Sequence, residues 1–359
     1  MSPGDPTTMT ALVLDRPAPP EELAQAMHLT EQDVPEPGPG QVRVRVGACG
    51  LNPVDWKVAR SGSASWDWPH VLGLDVAGTV DALGDGVCPD AHGPEGSDPL
   101  RADLAVGARV ALHHDLRRPG GLAEYVVVDA QALAHVPAPV SLTAAAALPC
   151  AGMTALQALT RLHVGEQQTL LVTGGAGGVG GYAVQLARLM GARVIATASP
   201  GKAEAVRALG ADEVLDYRAL GSPEAVAAAA RALTPQGRGV DAVLDTLGAG
   251  SATANLAALA FNGGLAYIGG RPDLAQLPGF SVSPSLHEVS LGAAYSAGTS
   301  RDRLVLTLML TSLLTMVADG ELDPRVERAV ALQEAPQAYL LLAQGHALGK
   351  TVAVVDASL

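Results

Sequence analysis

The clearest alternation of apolar and polar positions lies in residues 41–48, QVRVRVGA, where a period of two predicts a half-exposed strand. A second strand is predicted over 9–15, and Pro35, Pro37 and Pro39 place a loop between the two. Residues 49–62, CGLNPVDWKVARSG, read as a turn into a short helix. Residues 68–87 form a glycine-punctuated β region, and 108–130 return to β structure. Between these, 88–102 are rich in Pro, Gly and Asp with little apolar periodicity, which predicts a mobile surface loop. The chain to about residue 135 is therefore β-rich and barrel-like.

The period then changes. Ser141 is placed to cap a helix that continues over 143–148, and a second helix is predicted over 152–162. An apolar run at 169–173 reads as a buried strand, and a glycine cluster follows at once. Gly175, Gly177 and Gly180 fit G-x-G-x-x-G, with further glycines at 174, 178 and 181. Val179, Ala183, Leu186, Ala187 and Met190 recur at helical spacing, Gly191 ends that helix, and 193–197 reads as another strand. Strand, glycine turn, helix and strand thus follow one another within about thirty residues.

The alternation goes on after residue 199. A helix capped by Ser199 carries Pro200 in its first turn and stops at Gly210. A strand at 214–216 precedes an alanine-rich helix opened by Ser222, Pro223 and Glu224. Strands are predicted at 240–245, at 265–268 and near 287–295, with a helix near 251–260. Such alternation implies a doubly wound parallel sheet. An amphipathic helix is predicted at 301–318, and the last stretch, with a helix near 333–344 and a strand at 350–355, packs back on the first domain. The expected architecture is α/β. A doubly wound parallel Rossmann sheet, 137–300, is inserted into a β-rich, barrel-like domain formed by 1–136 and 301–359, with 1–8 a floppy extension.

Glycine has a physical purpose in the 174–181 turn. A tight turn needs backbone angles that side chains forbid, and a pyrophosphate approaches the backbone closely only where no Cβ intervenes. The following helix N-terminus offers N–H groups and a positive dipole end to the phosphate. Gly175, Gly177, Gly178, Val179 and Gly180 are the expected pyrophosphate cradle. The next strand ends in ATASPGK, where an NAD-binding chain carries an Asp or Glu for the ribose 2′-OH. Thr197, Ser199 and Lys202 stand there instead, and hydroxyls with a cation suit a 2′-phosphate. The expected cofactor is NADP(H).

Composition narrows the class. Apolar residues make up 48% of the 359 and charged ones 16%, enough for a substantial core. A net charge of −13 argues against a nucleic-acid surface. No apolar run is long enough to span a membrane, and the N-terminus lacks the pattern of a secretory signal. Cysteines 49, 88 and 150 form no spaced framework, which fits a reducing cytoplasm.

Several stretches together resemble the medium-chain dehydrogenase/reductases, and most of all their zinc-free, NADPH:quinone oxidoreductase-like branch. They are NPVDWK (52–57), GLDVAGTV (73–80), GLAEYVVV (121–128), LPCAGMTALQAL (148–159), TGGAGGVGG (173–181), LGADEVLDYR (209–218), VDAVLDTLG (240–248) and GHALGKTVAVV (345–355). Their order and spacing cover nearly all of 9–355. The resemblance implies a GroES-like catalytic domain split around an inserted cofactor domain, an active site in the cleft between them, and a cytoplasmic homodimer. It adds Tyr217 and Arg218 as contacts to the 2′-phosphate. It places Thr154, Thr246, Leu247, Gly248, Ile268 and Gly269 along the nicotinamide and ribose, with Asn52 and Lys350 as further cofactor candidates.

The departures from the zinc-dependent branch are as informative. That branch carries G-x-C-G-x-D where this chain has GLNPVD, so Asn52 stands at a cysteine ligand position. It carries G-H-E where this chain has Gly73, Leu74 and Asp75, so a histidine ligand is lost. Cys150 matches a third ligand, but one thiolate is no site, and it reads as a small buried residue. No metal is expected.

Without a metal, reduction of a simple ketone leaves its localised alkoxide without a strong partner. A quinone or an α,β-unsaturated carbonyl spreads that charge, so one of these is the expected acceptor. Candidate catalytic groups are Asn52, Asp55, His113 and His114. Asn52 is placed to orient the nicotinamide ribose or the acceptor carbonyl. Asp55 fits either a proton relay or the cap of the helix that follows. His113 and His114, where a strand leaves towards the cleft, are candidate general acids, or an inert pair in a surface loop. Asp75 reads as structural. Two alternatives stand beside this reading: a zinc-independent alcohol or carbonyl dehydrogenase, and a non-catalytic NADPH-binding sensor or structural protein.

Overall fold

Valines at every second position make the strand on which the first unit is built. In the computed structural model, which describes residues 6–87, 104–345 and 347–359, Val42, Val44 and Val46 of the strand Gln41–Leu51 are fully buried. The opposite face is less exposed than the alternation predicts. Arg43 is buried as well, because its guanidinium bonds to Asp81 at 2.5 Å and Glu36 at 3.3 Å. Gln41–Leu51 pairs antiparallel with Asp75–Leu83, Tyr125–Asp129 and Lys350–Val354. The sheet extends through Arg109–His113 to Ala134–His135 on one side, and to Val326–Ala331, parallel to Lys350–Val354, on the other. A second sheet joins Met27–Asp33, Thr8–Leu14 and His70–Val71. One apolar cluster gathers Leu12, Leu14, Leu23, Leu72 and Tyr339, and another gathers the inward valines of the large sheet.

The strands Met27–Asp33 and Val326–Ala331 are not anticipated by the sequence pattern. Both are sheet edges with mostly exposed or half-buried side chains, so no period-two signal marks them.

The chain divides into two compact units, Met1–Cys150 with Gly292–Leu359, and Ala151–Leu291. The second holds a six-stranded parallel sheet in the order Glu213–Asp216, Arg193–Ala198, Thr169–Val172, Val240–Asp245, Leu259–Tyr267 and Ser285–Glu288. Reading outward from the first strand in sequence, the order reverses direction there, which is the doubly wound arrangement. Its inner strands are buried on both faces and read as continuous apolar runs, Leu170 to Val172 and Val194 to Ala196.

Several boundaries differ from the sequence expectation. Ser141 and Ser222 cap their helices, accepting from Ala144 N–H and Ala225 N–H. Ser199 makes no such bond, since Pro200–Lys202 form a 3₁₀ turn before the helix Ala203–Ala208. The helix near 251–260 is Ala249–Asn255, and the strand expected at 265 begins at Leu259, its apolar pattern broken by Asn262, Gly263 and Gly264. The last strand is confined to Ser285–Glu288, and Ala293–Ser296 is a helical turn. The loop expected at 88–102, with Cys88, and most of the expected 1–8 extension lie outside the described residues. Among the described residues no helix is long and apolar enough to cross a membrane.

Candidate active site

The glycine turn leaves the strand Thr169–Val172 and enters the helix Gly178–Leu189. Gly174 sits at φ +70°, and its N–H donates to Thr197 Oγ1 at 2.9 Å. Gly175 N–H donates to the Thr197 carbonyl at 2.9 Å. Thr197 is 2% exposed, so its hydroxyl fastens the turn rather than facing a ligand, unlike its sequence reading. A Cβ on Gly180 would lie 2.2 Å from the Gly174 carbonyl oxygen, and one on Gly175 2.9 Å from Ala196 Cβ. The turn closes only with glycine at these positions. Gly177 is the helix N-cap and supplies no side-chain cap. The first N–H groups of that helix, at Gly178, Val179 and Gly180, are therefore not covered by a capping side chain and suit an anion.

A second loop of the same unit is held by Asp245, which is fully buried. Its Oδ1 accepts from Leu247 N–H at 3.0 Å and Gly248 N–H at 3.1 Å. Its Oδ2 accepts from Thr173 Oγ1 at 3.1 Å, Asn255 Nδ2 at 3.0 Å and Ser251 Oγ at 2.5 Å. Thr246 is tied to the glycine-turn strand as well, its Oγ1 donating to the Thr173 carbonyl at 2.7 Å. Leu247 is 62% exposed at the tip. Ile268 N–H donates to the Asp245 carbonyl, and a Cβ on Gly269 would lie 2.9 Å from Leu247 backbone. The turn Gly174–Gly180, the loop 246–248 and the segment 268–269 thus lie at one end of the sheet, beyond the C-terminal ends of its strands. Thr154 is buried on the helix Pro149–Arg161. Ser199 and Lys202 are half-buried after the strand Arg193–Ala198, with no carboxylate from 197 to 203. Tyr217 follows the strand Glu213–Asp216 and is exposed, with the Arg218 guanidinium 5.9 Å from its ring centre. Asp245 was not among the expected site residues. A charge inside the apolar run VDAVLD was its signal in the sequence.

The other expected residues meet in the first unit, and sheet register brings them together. Gly50 stands opposite Asp75, and Asp75 opposite His113, on three adjacent strands, while Leu51 pairs with Thr351. Gly50 allows the crowding, since a Cβ there would sit 2.1 Å from the Ala146 carbonyl and 3.1 Å from Asp75 Cβ. Asn52 Nδ2 donates to Asp75 Oδ2 at 2.8 Å and to the Gly50 carbonyl at 3.2 Å. Asn52 Oδ1 accepts from Lys350 Nζ at 2.5 Å. The same ammonium donates to the Leu51 carbonyl at 3.2 Å and lies 3.6 Å from Asp75 Oδ2. Asp75 Oδ1 accepts from Cys150 N–H at 2.9 Å. Asp55 Oδ2 accepts from Asn52 N–H at 2.8 Å, the arrangement of a capping box for the helix Pro53–Ser61. Asn52, Asp55, Asp75 and Lys350 are all at most 3% exposed.

Burial sets the protonation of this cluster. It pushes the Asp55 carboxyl up to about 7, against its hydrogen bond from Asn52. It pushes Asp75 up to about 6, with the Lys350 charge pulling the other way. The histidines depart from expectation. Neither lies in a surface loop: His113 and His114 are 5% and 4% exposed. Burial presses them down to about 3 and about 4, so both are neutral at pH 7 and neither offers an imidazolium proton. His114 Nε2 lies 3.0 Å from the Pro119 carbonyl. The His113 ring stacks on Tyr295 with centres 5.8 Å apart, and the Tyr295 hydroxyl donates to the His113 carbonyl. The side chains of Asp75, His113 and Cys150 bring three possible ligand atoms within 4.8 Å of one another.

Two family models match the chain. One describes the alcohol dehydrogenase GroES-like domain and covers 38–138; the other describes a zinc-binding dehydrogenase and covers 178–306. A chloroplast envelope quinone oxidoreductase homolog of Arabidopsis thaliana is 30% identical over 92% of this chain and 94% of its own length. The 2-methylene-furan-3-one reductase of Solanum lycopersicum is 37% identical over 51% of this chain and 46% of its own. Among solved structures, a mycobacterial protein complexed with NADPH superposes with a TM-score of 0.81 at 30% identity, over 97% of this chain and all of that one.

Proposed function

Since the chain belongs to the medium-chain dehydrogenase/reductase superfamily, in its quinone oxidoreductase-like branch, we propose that it is a zinc-independent, NADPH-dependent reductase. In this reading it transfers hydride to a quinone or to the β-carbon of an α,β-unsaturated carbonyl, as a cytoplasmic homodimer. NADPH supplies the hydride, and the protein's part is to bind, orient and exclude water.

The observation that carries this reading is the state of the buried cluster. The histidines expected to act on a reacting oxygen are neutral, and the Asn52 amide and Asp55 Oδ2 are already bonded. His113 and His114 are uncharged at neutral pH. The Asn52 amide is held at both ends, by Lys350 and by Asp75. Such a site gives little help to a localised alkoxide, so it favours an acceptor that delocalises its own charge. The same facts weigh against a dehydrogenase that uses His113 or His114 in place of a metal.

The cofactor preference rests on the second unit. The pyrophosphate suits the uncapped N–H groups at Gly178–Gly180, and Ser199 with Lys202 suits a 2′-phosphate where a ribose-binding carboxylate is absent. The similarity to a protein complexed with NADPH supports the same choice.

The test is NADPH oxidation with 1,4-benzoquinone, 9,10-phenanthrenequinone, an enone and an aldehyde in parallel, with NADH and EDTA as controls. Turnover of quinone or enone that prefers NADPH and ignores EDTA is the expected result. Activity confined to the aldehyde, or lost to the chelator, overturns the proposal. Tight NADPH binding with no acceptor turned over favours the binding-only alternative.

A further inference from the structure

One family model that matches the chain describes a zinc-binding dehydrogenase, and three side chains of zinc-binding type do converge: Asp75, His113 and Cys150. Their fit to a metal is tested by what already surrounds them. Asp75 Oδ1 accepts from Cys150 N–H, and Asp75 Oδ2 accepts from Asn52 Nδ2. The Lys350 ammonium lies 3.6 Å from that same Oδ2. Lys350 is 3% exposed and is held from two further sides, by Asn52 Oδ1 at 2.5 Å and the Leu51 carbonyl at 3.2 Å. A divalent ion bound by Asp75 would face a unit positive charge within a few ångströms in a water-poor interior. Repulsion there is severe. The cluster as built does not fit a metal.

We infer that Lys350 is the resident cation of this cluster: its ammonium occupies the electrostatic place of a metal ion, and the Asp75–His113–Cys150 set is a latent metal site that opens when that charge is removed. The inference rests on the zinc-independent reading above and supplies its physical cause. Asp75 is the carboxylate that lies against this cation. His113 Nδ1 is buried and has no hydrogen-bond partner among the described residues, so an imidazole nitrogen is left unengaged beside Asp75. Lys350 opens the strand Lys350–Val354, whose register against Gln41–Leu51 sets its side chain beside Leu51 and Asn52. A strand end of the large sheet thus delivers the cation.

The experiment reads metal binding, not turnover, so it fails separately from the choice of acceptor or cofactor. Wild-type protein and the variants Lys350→Met, Lys350→Gln and Lys350→Arg are titrated with Co²⁺. The thiolate-to-cobalt charge-transfer absorption is followed, with Zn²⁺ competition for stoichiometry. Wild type and Lys350→Arg should develop no band. Lys350→Met and Lys350→Gln should bind one equivalent, about 100-fold or more tighter than wild type given a close like charge removed. The band should vanish when Cys150→Ser is added. Circular dichroism identifies which neutral variant folds, and the gentler Lys350→Gln keeps a partner for Asn52. A folded neutral variant that binds no Co²⁺ overturns the inference. So does a wild-type band that Cys150→Ser abolishes, an outcome that needs neither neutral variant to fold.

Discussion

The nucleotide turn and the buried polar cluster solve opposite problems. The turn is one continuous stretch, made of backbone, and its glycines clear space: a Cβ at Gly180 would collide with the Gly174 carbonyl. The cluster is made of side chains from residues 52, 55, 75, 113, 150 and 350, and it fills space with charges that must satisfy one another. A site built from absence tolerates little addition. A site built from mutual compensation tolerates little removal. That contrast orders the substitutions that would break it.

Removal from the cluster should cost most. Lys350→Met leaves Asp75 buried without its cation, and breaking a buried pair costs about 3–5 kcal/mol. The cost should depend on pH. Burial already pushes Asp75 up to about 6 with Lys350 in place, and loss of the ammonium raises it further. In mildly acid solution, around pH 5, Asp75 is protonated and the loss shrinks; around pH 8 it is full. Urea unfolding of wild type and variant at both values measures this. An equal loss at both would mean that the two side chains are not a charge pair.

Addition to the turn comes next. Gly180→Ala puts a methyl 2.2 Å from a backbone carbonyl oxygen, which cannot swing aside as a flexible side chain would. Overpacking of this kind costs about 3 kcal/mol. NADPH affinity, read by fluorescence titration, should fall at least about ten-fold, because the N–H groups of the helix start move with the turn. Retention of wild-type affinity would remove that turn from the cofactor site.

These two regions also differ in how far the sequence discloses them. The turn is legible because strand, glycines and helix are consecutive and each has its own local signal. The edges of the same sheet are less so: the strand at Leu259 begins six residues before its expected start, hidden by Asn262 and two glycines. In the cluster, Asn52, Asp55, His113, His114 and Lys350 are visible one by one, but their partners are not. Strand register places Asp75 between Gly50 and His113, and register is a long-range property. Asp75, read as structural, proves to be the hub. The burial of the histidines is hidden for a related reason. HHDLRRPGG has the composition of a surface loop, yet His113 ends a central strand and His114 N–H donates to the Leu74 carbonyl. Tyr295 belongs to a helical turn, Ala293–Ser296, whose packing on His113 no local pattern announces.

A smaller effect separates cofactor chemistry from cofactor binding. Lys202→Ala should weaken NADPH by roughly ten-fold, the loss of one charge-assisted hydrogen bond of about 1.5 kcal/mol. NADH, which lacks the 2′-phosphate, should be unaffected. KM values for both, with one acceptor, give the comparison. A parallel loss for NADH would show that Lys202 supports the helix Ala203–Ala208 rather than a phosphate.

The wild-type pH profile is damped rather than flat, because the cluster and its neighbours pull in opposite directions. His70, His113 and His114 are pressed from 6.5 down to about 4, about 3 and about 4, chiefly by burial. The unfolded chain takes up these protons near pH 6.5 and the folded chain does not, so stability is lost as pH falls towards 4. Asp55 and Asp75 are raised from 3.8 to about 7 and about 6, again chiefly by burial. The folded state keeps their protons where the unfolded state has released them, so this stability is present in acid and lost as pH rises through 6 and 7. Between about pH 4 and 6.5 the two sets oppose, but three histidines outweigh two carboxylates, so urea midpoints should still fall on acidification, with the slope of about one proton rather than three. Removing one set exposes the other. Asp55→Asn should steepen the loss of stability on acidification, and His114→Asn, which leaves two histidines against two carboxylates, should flatten it. Profiles that stay parallel to wild type in both variants would mean that these groups titrate at ordinary values, and the compensating cluster would lose its physical basis.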